Sequence, residues 1–172
     1  TTITSITFNS TLTSSIDVAG LGGATLTVKG AITNNDADRH SFSLPVDTGV
    51  SATWTGPLAF NNVVTIGANE ITLAAGTNTI FNGSRVYLTL NSNANYGKFL
   101  GTGTSTFSGG EKIYFTAGST YTGVANDTFD FTSGNFSGAT LELSSLPTLS
   151  AGLVWDSSAF ISEGRLTVLA AV

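Results

Sequence analysis

The sequence contains no cysteine and no methionine, and only 10% of its 172 residues are charged. Without cysteine, the chain has no disulfide bond, no zinc–thiolate site and no cysteine nucleophile. No run of the sequence approaches the ~18 apolar residues that a membrane-spanning helix needs. Packing and backbone hydrogen bonds must therefore stabilise the fold, and we expect no membrane insertion of the mature chain.

Basic residues are few and widely spaced, and the formal net charge is −5. The six lysines and arginines are Lys29, Arg39, Arg85, Lys98, Lys112 and Arg165. A nucleic-acid-binding surface needs clustered Lys and Arg side chains that displace counterions from the phosphates. The sequence therefore predicts no nucleic-acid partner.

The start of the sequence bears on where the protein works. The chain does not begin with methionine. We expect that a signal peptide has been removed, which places the mature protein outside the cell or at the cell surface. A cloning boundary is the alternative explanation.

Apolar and β-branched residues alternate with polar residues in short segments, and these segments are separated by Gly, Asn and Ser. Among them are "TITSITF" (2–8), "ATLTVKG" (24–30), "SFSLPV" (41–46), "KIYFTAG" (112–118), "DTFDFTSG" (127–134), "ATLELSS" (139–145) and "RLTVLAAV" (165–172). A period of two is typical of β-strands, and no segment has a convincing helical period. We therefore predict a single all-β domain over residues 1–172.

Two all-β architectures fit this pattern. A β-solenoid, similar to a parallel β-helix, stacks successive coils over a continuous core. The imperfectly similar segments "LTVKGAITNN", "ITLAAGTNTIFNG" and "IYFTAGSTYTG" favour this prediction. The alternative is a two-sheet β-sandwich or jelly roll. Pro45 and Pro57 each remove a donor from a strand ladder, so we expect them at an edge, a bulge or a strand end.

Two parts of the sequence resemble one family of bacterial surface proteins. The segments "SITF" (5–8), "ATLTVKGAITNN" (24–35), "SFSLPV" (41–46) and "ATW" (52–54) occur in an order that resembles autotransporter-associated β-strand repeat proteins. The closing stretch "LPTLSAGLVWDSSAFISEGRLTV" (146–168) is similar to the C-terminal L-P-x-L-x-x-G-L-x-W-D module of the same proteins. In many of them a sorting tail with a Pro-Glu-Pro signal follows this module. The resemblance implies a secreted protein of the cell surface.

The sequence Trp155-Asp156-Ser157-Ser158 raises the question of a serine nucleophile. Such a nucleophile needs a base within hydrogen-bond reach and an orienting acid. The only histidine is His40, in "NNDADRHSF", which we expect to be a polar loop, and there is no G-x-S-x-G motif. Asp and Ser favour turns because their side chains bond nearby backbone amides. We therefore predict a turn here, no catalytic site, and a protein that is not an enzyme.

Two sets of residues are candidates for binding a ligand. Asn34, Asp36 and Asp38 offer oxygen atoms to calcium, but their spacing lacks the glycine and distal glutamate of an EF-hand loop. We expect a solvated turn there and no cofactor. Trp54 and Trp155 are the candidate contacts for a glycan such as a surface polysaccharide, and burial in the core is the alternative that we favour.

Both ends of the chain are strand-prone and nearly uncharged. Neither "TTITSITF" nor "VLAAV" carries the lysine, proline or inward charge that normally protects an exposed strand edge. The predicted assembly residues are Thr2, Ile3, Ile6, Phe8, Leu166, Val168 and Leu169. Our hypothesis is a secreted bacterial structural protein whose partner is copies of itself, joined into an extracellular fibre or surface layer. The alternative is a cell-surface adhesin or carbohydrate-binding module.

Overall fold

The computed structural model describes residues 2–9, 17–18, 25–35, 39–82 and 85–172. In these residues the chain winds through three parallel sheets, which form the three sides of a β-solenoid of about four turns. This confirms the prediction of an all-β solenoid over the alternative sandwich. The strands are numbered below in chain order.

The first sheet has seven parallel strands that stack in chain order along the solenoid axis. Its strands are β1 (Thr2–Ile3), β4 (Leu26–Val28), β7 (Val46–Thr48), β10 (Val64–Gly67), β13 (Arg85–Leu88), β18 (Lys112–Phe115) and β20 (Thr140–Leu141). We call it sheet 1.

Sheets 2 and 3 have five parallel strands each, and each of the five successive coils from β1 to β17 contributes one strand to each of the three sheets. Sheet 2 contains β2 (Ile6–Phe8), β5 (Ile32–Asn34), β8 (Ala52–Thr55), β11 (Glu70–Leu73) and β16 (Lys98–Gly101). Sheet 3 contains β3 (Asp17–Val18), β6 (His40–Phe42), β9 (Pro57–Phe60), β12 (Asn78–Phe81) and β17 (Thr104–Phe107).

The strands are short because the chain turns a corner after three or four residues. In β10, Val64 and Ile66 are buried while Thr65 points outward, which is the predicted period of two. The segment 41–46, predicted as one strand, instead contains a corner, since β6 ends at Phe42 and β7 begins at Val46. The positions of the two prolines are confirmed, because Pro57 is the first residue of β9 and Pro45 lies directly before β7.

A ladder of phenylalanine rings runs through the core behind sheet 3. Phe42, Phe60, Phe81 and Phe107 occupy the same register in successive strands. Their ring centroids are 4.9, 5.7 and 5.0 Å apart, and each neighbouring pair is stacked. Such pairs contribute about 0.5–1.5 kcal/mol each beyond the burial of their area. The ladder therefore stabilises the stacking of one coil on the next.

The C-terminal end of the solenoid is covered by a small antiparallel sheet, which we call the cap sheet. Its strands, in spatial order, are β19 (Thr128–Asp130), β22 (Arg165–Ala170) and β21 (Leu153–Asp156). A short helix, α1 (Phe160–Glu163), connects β21 to β22. Phe160 stacks on Phe136 with centroids 5.0 Å apart, and Phe136 contacts Phe107 of the ladder. The cap sheet and the solenoid thus share one hydrophobic core.

The remaining elements are a two-stranded hairpin and one 3-10 turn. The hairpin contains β14 (Leu90–Ser92) and β15 (Asn95–Tyr96), and the 3-10 turn spans Leu143–Ser145. Within the part of the chain that the structure describes, no helix is long and apolar enough to cross a membrane.

Candidate functional site

The first coil presents a strand edge that is unpaired within the described residues. The N–H of Ile6 donates to the carbonyl of Ala31 at 3.0 Å, and the carbonyl of Phe8 accepts from the N–H of Asn35 at 3.2 Å. The backbone groups of Ile6 and Phe8 therefore face β5, and those of Thr7, between them, face the opposite side. Strand β2 thus offers the N–H and the carbonyl of Thr7 to a further strand.

The side chains of the predicted N-terminal assembly residues have different surroundings. Thr2 is exposed, Ile3 and Ile6 are half-buried, and Phe8 is buried. The ring of Phe8 stacks on His40 with centroids 4.2 Å apart. The edge therefore offers backbone groups rather than apolar side chains.

The prediction that His40 lies in a polar loop is wrong. His40 is the first residue of β6, and its side chain is fully buried. The inward and outward alternation of β6 places His40 on the same side as Phe42, facing the core. The imidazole is therefore part of the core near the N-terminal end of the solenoid. The cap sheet covers the opposite end.

The C-terminal assembly residues lie in a strand that already has two neighbours. Strand β22 is the central strand of the cap sheet, between β19 and β21. The N–H of Val168 donates to Asp127 O at 2.9 Å, and Leu166 and Val168 are fully buried. Leu169 is 40% exposed, but its backbone pairs with Val154 of β21. The expectation that this segment forms an open edge is therefore wrong.

The open edge of the cap sheet belongs to β21. Trp155 lies opposite Val168, whose N–H and carbonyl both bond toward β19, to Asp127 and Asn126. Because hydrogen-bonded and non-hydrogen-bonded pairs alternate in an antiparallel ladder, the N–H and carbonyl of Trp155 point away from β22. No backbone group of the described residues pairs with them. In the part of the chain that the structure describes, β2 and β21 therefore each have an unpaired edge.

The two tryptophans proposed as glycan contacts are both packed against other rings. Trp54 is fully buried in the solenoid, with its ring centroid 4.8 Å from that of Phe60. Trp155 is half-buried, its ring lies 5.7 Å from that of Tyr121, and its Nε1 donates to the carbonyl of Pro147 at 2.9 Å. Because Trp54 is fully buried, it cannot contact a glycan. Trp155 packs against the hydrophobic core beneath the cap sheet.

The segment that follows Trp155 is a turn, as predicted. The carboxylate of Asp156 accepts a hydrogen bond from the N–H of Ser158 at 2.9 Å. This interaction with Ser158 lowers the pKa of Asp156. The carboxylate therefore orders the local backbone of this turn.

The candidate calcium ligands are only partly placed by the structure. Asn34 is buried, and its Nδ2 donates to the carbonyl of Pro57 at 2.8 Å, which links one coil to the next. Asp36 and Asp38 lie outside the described residues. Among the residues that are described, no three His, Asp or Glu side chains are grouped closely enough to hold a metal ion.

Two tyrosines that the sequence offers as possible sugar-stacking rings, with the core or a turn as the favoured alternative, form an outward-facing pair on sheet 1. Tyr87 of β13 and Tyr114 of β18 share a register, and their stacked ring centroids are 5.1 Å apart. Arg85 and Lys112 occupy the neighbouring outward register of the same two strands. The segments "RVYL" (85–88) and "KIYF" (112–115) share the order basic, β-branched, tyrosine, apolar. This repeat in the sequence indicates that the two tyrosines occupy equivalent positions in two strands.

A pocket of about 450 Å³ lies between the corners that follow β16 and the next coil. Its lining consists of glycine, hydroxyl and amide residues over Leu73 and Phe99. No titratable side chain lines it, so it has no group for acid–base chemistry.

Comparison with known proteins gives no relative for this chain. No family model matches it, and neither a curated protein nor a solved structure matches it. The resemblance to autotransporter-associated β-strand repeat proteins therefore stays a prediction.

Proposed function

We propose that this chain is a non-catalytic structural protein, secreted by a bacterium, that assembles head to tail into an extracellular fibre or surface layer. The observation that carries the proposal is that, among the described residues, the open edges at the two ends include two that differ: β2 is the first strand of sheet 2, and β21 is an edge strand of the cap sheet. A contact between two different surfaces does not close on itself, so repetition of the contact gives a filament.

Neither edge carries the lysine or proline that normally prevents strand addition. Strand β2 contains Ile6, Thr7 and Phe8, and β21 contains one charged residue, Asp156, at its end. Soluble proteins usually place lysine or proline on such edges. Addition of a strand supplies main-chain hydrogen bonds and does not require a specific side-chain pocket. Edges of three and four residues make few such bonds, so we expect assembly to depend on protein concentration.

The assignment to the cell exterior rests on the sequence. The resemblance to bacterial surface proteins supports it, and so does the low proportion of charged residues, 10% of the chain. With few titratable groups, few contributions to the stability of the protein change with external pH. A polymer outside the cell benefits from that property.

The test is electron microscopy of the chain at micromolar concentration, compared with the variant Thr7→Lys. A lysine at position 7 places a charge on the open edge of β2, and we expect it to abolish filaments. The matched control is Thr33→Lys, because Thr33 is the register partner of Thr7 on β5, a strand that is paired on both sides. Filaments in the parent and in Thr33→Lys, but not in Thr7→Lys, would support the proposal.

A second pair of variants tests the other end. Val154 on β21 and Leu169 on β22 are register partners, and they are 45% and 40% exposed. Val154→Lys puts a charge on the edge strand, while Leu169→Lys puts the same charge on the central strand. We expect only Val154→Lys to block assembly. Monomers in every sample, or equal assembly of the two variants, would contradict the proposal.

Deletion of residues 1–8 is a poor test of the same idea. The deletion removes β1 and β2, and it leaves the edges of β4 and β5 unpaired instead. Filaments that persist after the deletion would then form through the new edge. A charge at position 7 keeps the coil in place and changes only its edge.

A further inference from the structure

Four outward side chains on sheet 1 form a two-by-two arrangement, which we call the tyrosine–cation array. It consists of Arg85 and Tyr87 on β13 and of Lys112 and Tyr114 on β18. Arg85 is paired in register with Lys112, and Tyr87 with Tyr114. The guanidinium carbon of Arg85 lies 5.9 Å from the ring centroid of Tyr114. Two cations and two aromatic rings therefore share one patch of the solenoid surface.

The charges of the array are not balanced. Lys112 Nζ lies 3.0 Å from Glu142 Oε2, so this cation has a carboxylate partner. Arg85 is exposed and forms no ion pair with any residue that the structure describes. Like charges on neighbouring strands destabilise a sheet when they face each other. The hydrogen bond and the charge of Glu142 raise the pKa of Lys112, whereas the charge of Arg85 acts in the opposite direction.

The ring of Tyr87 has neighbours of different size on its two sides, Tyr114 on β18 and Thr65 on β10. Tyr87 and Tyr114 are both half-buried. The register partner of Tyr87 on the preceding coil is Thr65, whose side chain is much smaller than a phenol ring. Adjacent strands are about 4.8 Å apart, which is close to the spacing of stacked rings. The face of Tyr87 above Thr65 is therefore the place where a further ring can stack.

The geometry points to a binding site for an acidic saccharide on the tyrosine–cation array. One sugar ring stacks on Tyr87, and its carboxylate is bound by Arg85 of the same strand. Aromatic rings supply the apolar face that a sugar ring needs, and guanidinium is the group best suited to a carboxylate. A neutral sugar would leave the unpaired cation without a partner. This inference is independent of the assembly through β2 and β21.

The partner is identified as a saccharide rather than a nucleic acid because of the small number of cations. The array holds two cations, one of them already paired, in a protein of net charge −5. Nucleic-acid binding needs many phosphate contacts, and its affinity falls steeply with salt. A sugar carboxylate needs one cation, and ring stacking supplies the rest of the contact.

The test measures the affinity of the full chain for soluble polygalacturonate by titration calorimetry. Amylose is the neutral saccharide control, and poly-glutamate is the control for a carboxylate polymer without rings. We expect binding of polygalacturonate at least roughly tenfold tighter than binding of either control, where tenfold corresponds to ~1.4 kcal/mol. Absence of binding, or equal binding of poly-glutamate, would overturn the proposal.

Two variants with matched controls assign the binding to the array. Arg85→Gln removes the unpaired cation, and we expect a roughly tenfold loss of affinity, or ~1.4 kcal/mol. Lys29→Gln removes an exposed cation next to β4 and should leave the affinity unchanged. Tyr87→Ala should lose affinity, whereas Tyr87→Phe keeps the ring and should retain it. Thermal melting of each variant confirms that it is folded, and unchanged affinity in folded Arg85→Gln or Tyr87→Ala contradicts the assignment.

Discussion

The backbone carbonyl of Asn34 lies directly against Gly56 of the next coil. A Cβ added at position 56 would fall well inside 3.0 Å of that oxygen, and Gly56 has a φ of +81°. The Nδ2 of Asn34 donates to the carbonyl of Pro57 at 2.8 Å at the same corner. Successive coils therefore contact each other backbone to backbone here, and any side chain at position 56 would separate them.

This contact predicts that Gly56→Ala is strongly destabilising. We expect a loss of roughly 2–5 kcal/mol in the free energy of unfolding, because the left-handed backbone and the overpacking both cost energy. Gly76→Ala is the matched control, since Gly76 has a φ of +78° and no heavy atom within 4 Å of the added Cβ. It should lose only about 1–2 kcal/mol. Urea denaturation of both variants checks the difference, and equal losses would show that the coil contact is unimportant.

Thr77 and Thr79 are both buried, but only the hydroxyl of Thr77 is hydrogen-bonded among the described residues. Thr77 Oγ1 donates to the carbonyl of Trp54 and accepts from the N–H of Gly56, both at 3.2 Å. Thr79 is fully buried, and its Oγ1 has no hydrogen-bond partner among the described residues. A buried hydroxyl without a partner costs free energy, whereas a bonded one contributes to stability.

We therefore expect Thr77→Val and Thr79→Val to change stability with opposite signs. Thr77→Val should lower the free energy of unfolding by about 1–3 kcal/mol, because it leaves the N–H of Gly56 without this partner and removes one of the two hydrogen bonds that the carbonyl of Trp54 accepts, the other coming from the N–H of Ala74. Thr79→Val removes only an unpaired hydroxyl and should leave stability unchanged or raise it. Chemical denaturation measures both. A destabilised Thr79→Val would mean that a water molecule or another group satisfies that hydroxyl.

The inward residues of the solenoid could be predicted from sequence, but the corners could not. The period of two correctly places Ile66 and Phe42 on the core side of their strands. The corner between Phe42 and Val46 has no glycine, and its only signal is Pro45. A loop is expected around His40 because the preceding residues are polar. In the structure, His40 lies two residues before Phe42 in the same strand, so its imidazole points to the same side, into the core.

Pairing partners were the second feature that the sequence left undetermined. The segment of β22 was correctly recognised as a strand, but its position between β19 and β21 depends on long-range contacts. Strand propensity describes how a residue fits a pleated surface and carries no information about which strand is adjacent. The side of the coil on which Trp54 lies depends on packing in the same way. Its burial follows from the contact between its ring and Phe60 of the next strand, which the sequence pattern does not determine.

Tyr121 connects the cap sheet to the solenoid through a short hydrogen bond. Its hydroxyl donates to Asp127 Oδ2 at 2.6 Å and accepts from the N–H of Val124 at 3.0 Å. Burial, together with the hydrogen bond to Asp127, raises the pKa of Tyr121 to about 12 from its ordinary value of 10.0. The folded protein therefore favours the neutral phenol more strongly than the unfolded chain does.

This shift predicts a loss of stability at alkaline pH. Because the folded pKa lies above the unfolded value, the contribution of Tyr121 is fully present below pH 10.0 and is lost as the pH rises toward about 12. Tyr121→Phe should be less stable than the parent at neutral pH, since it leaves the N–H of Val124 without its partner. The difference between the two proteins should shrink as the pH rises through that window. Urea denaturation at a series of pH values measures this difference in the free energy of unfolding. A difference that stays constant above pH 10.0 would contradict the raised pKa of Tyr121.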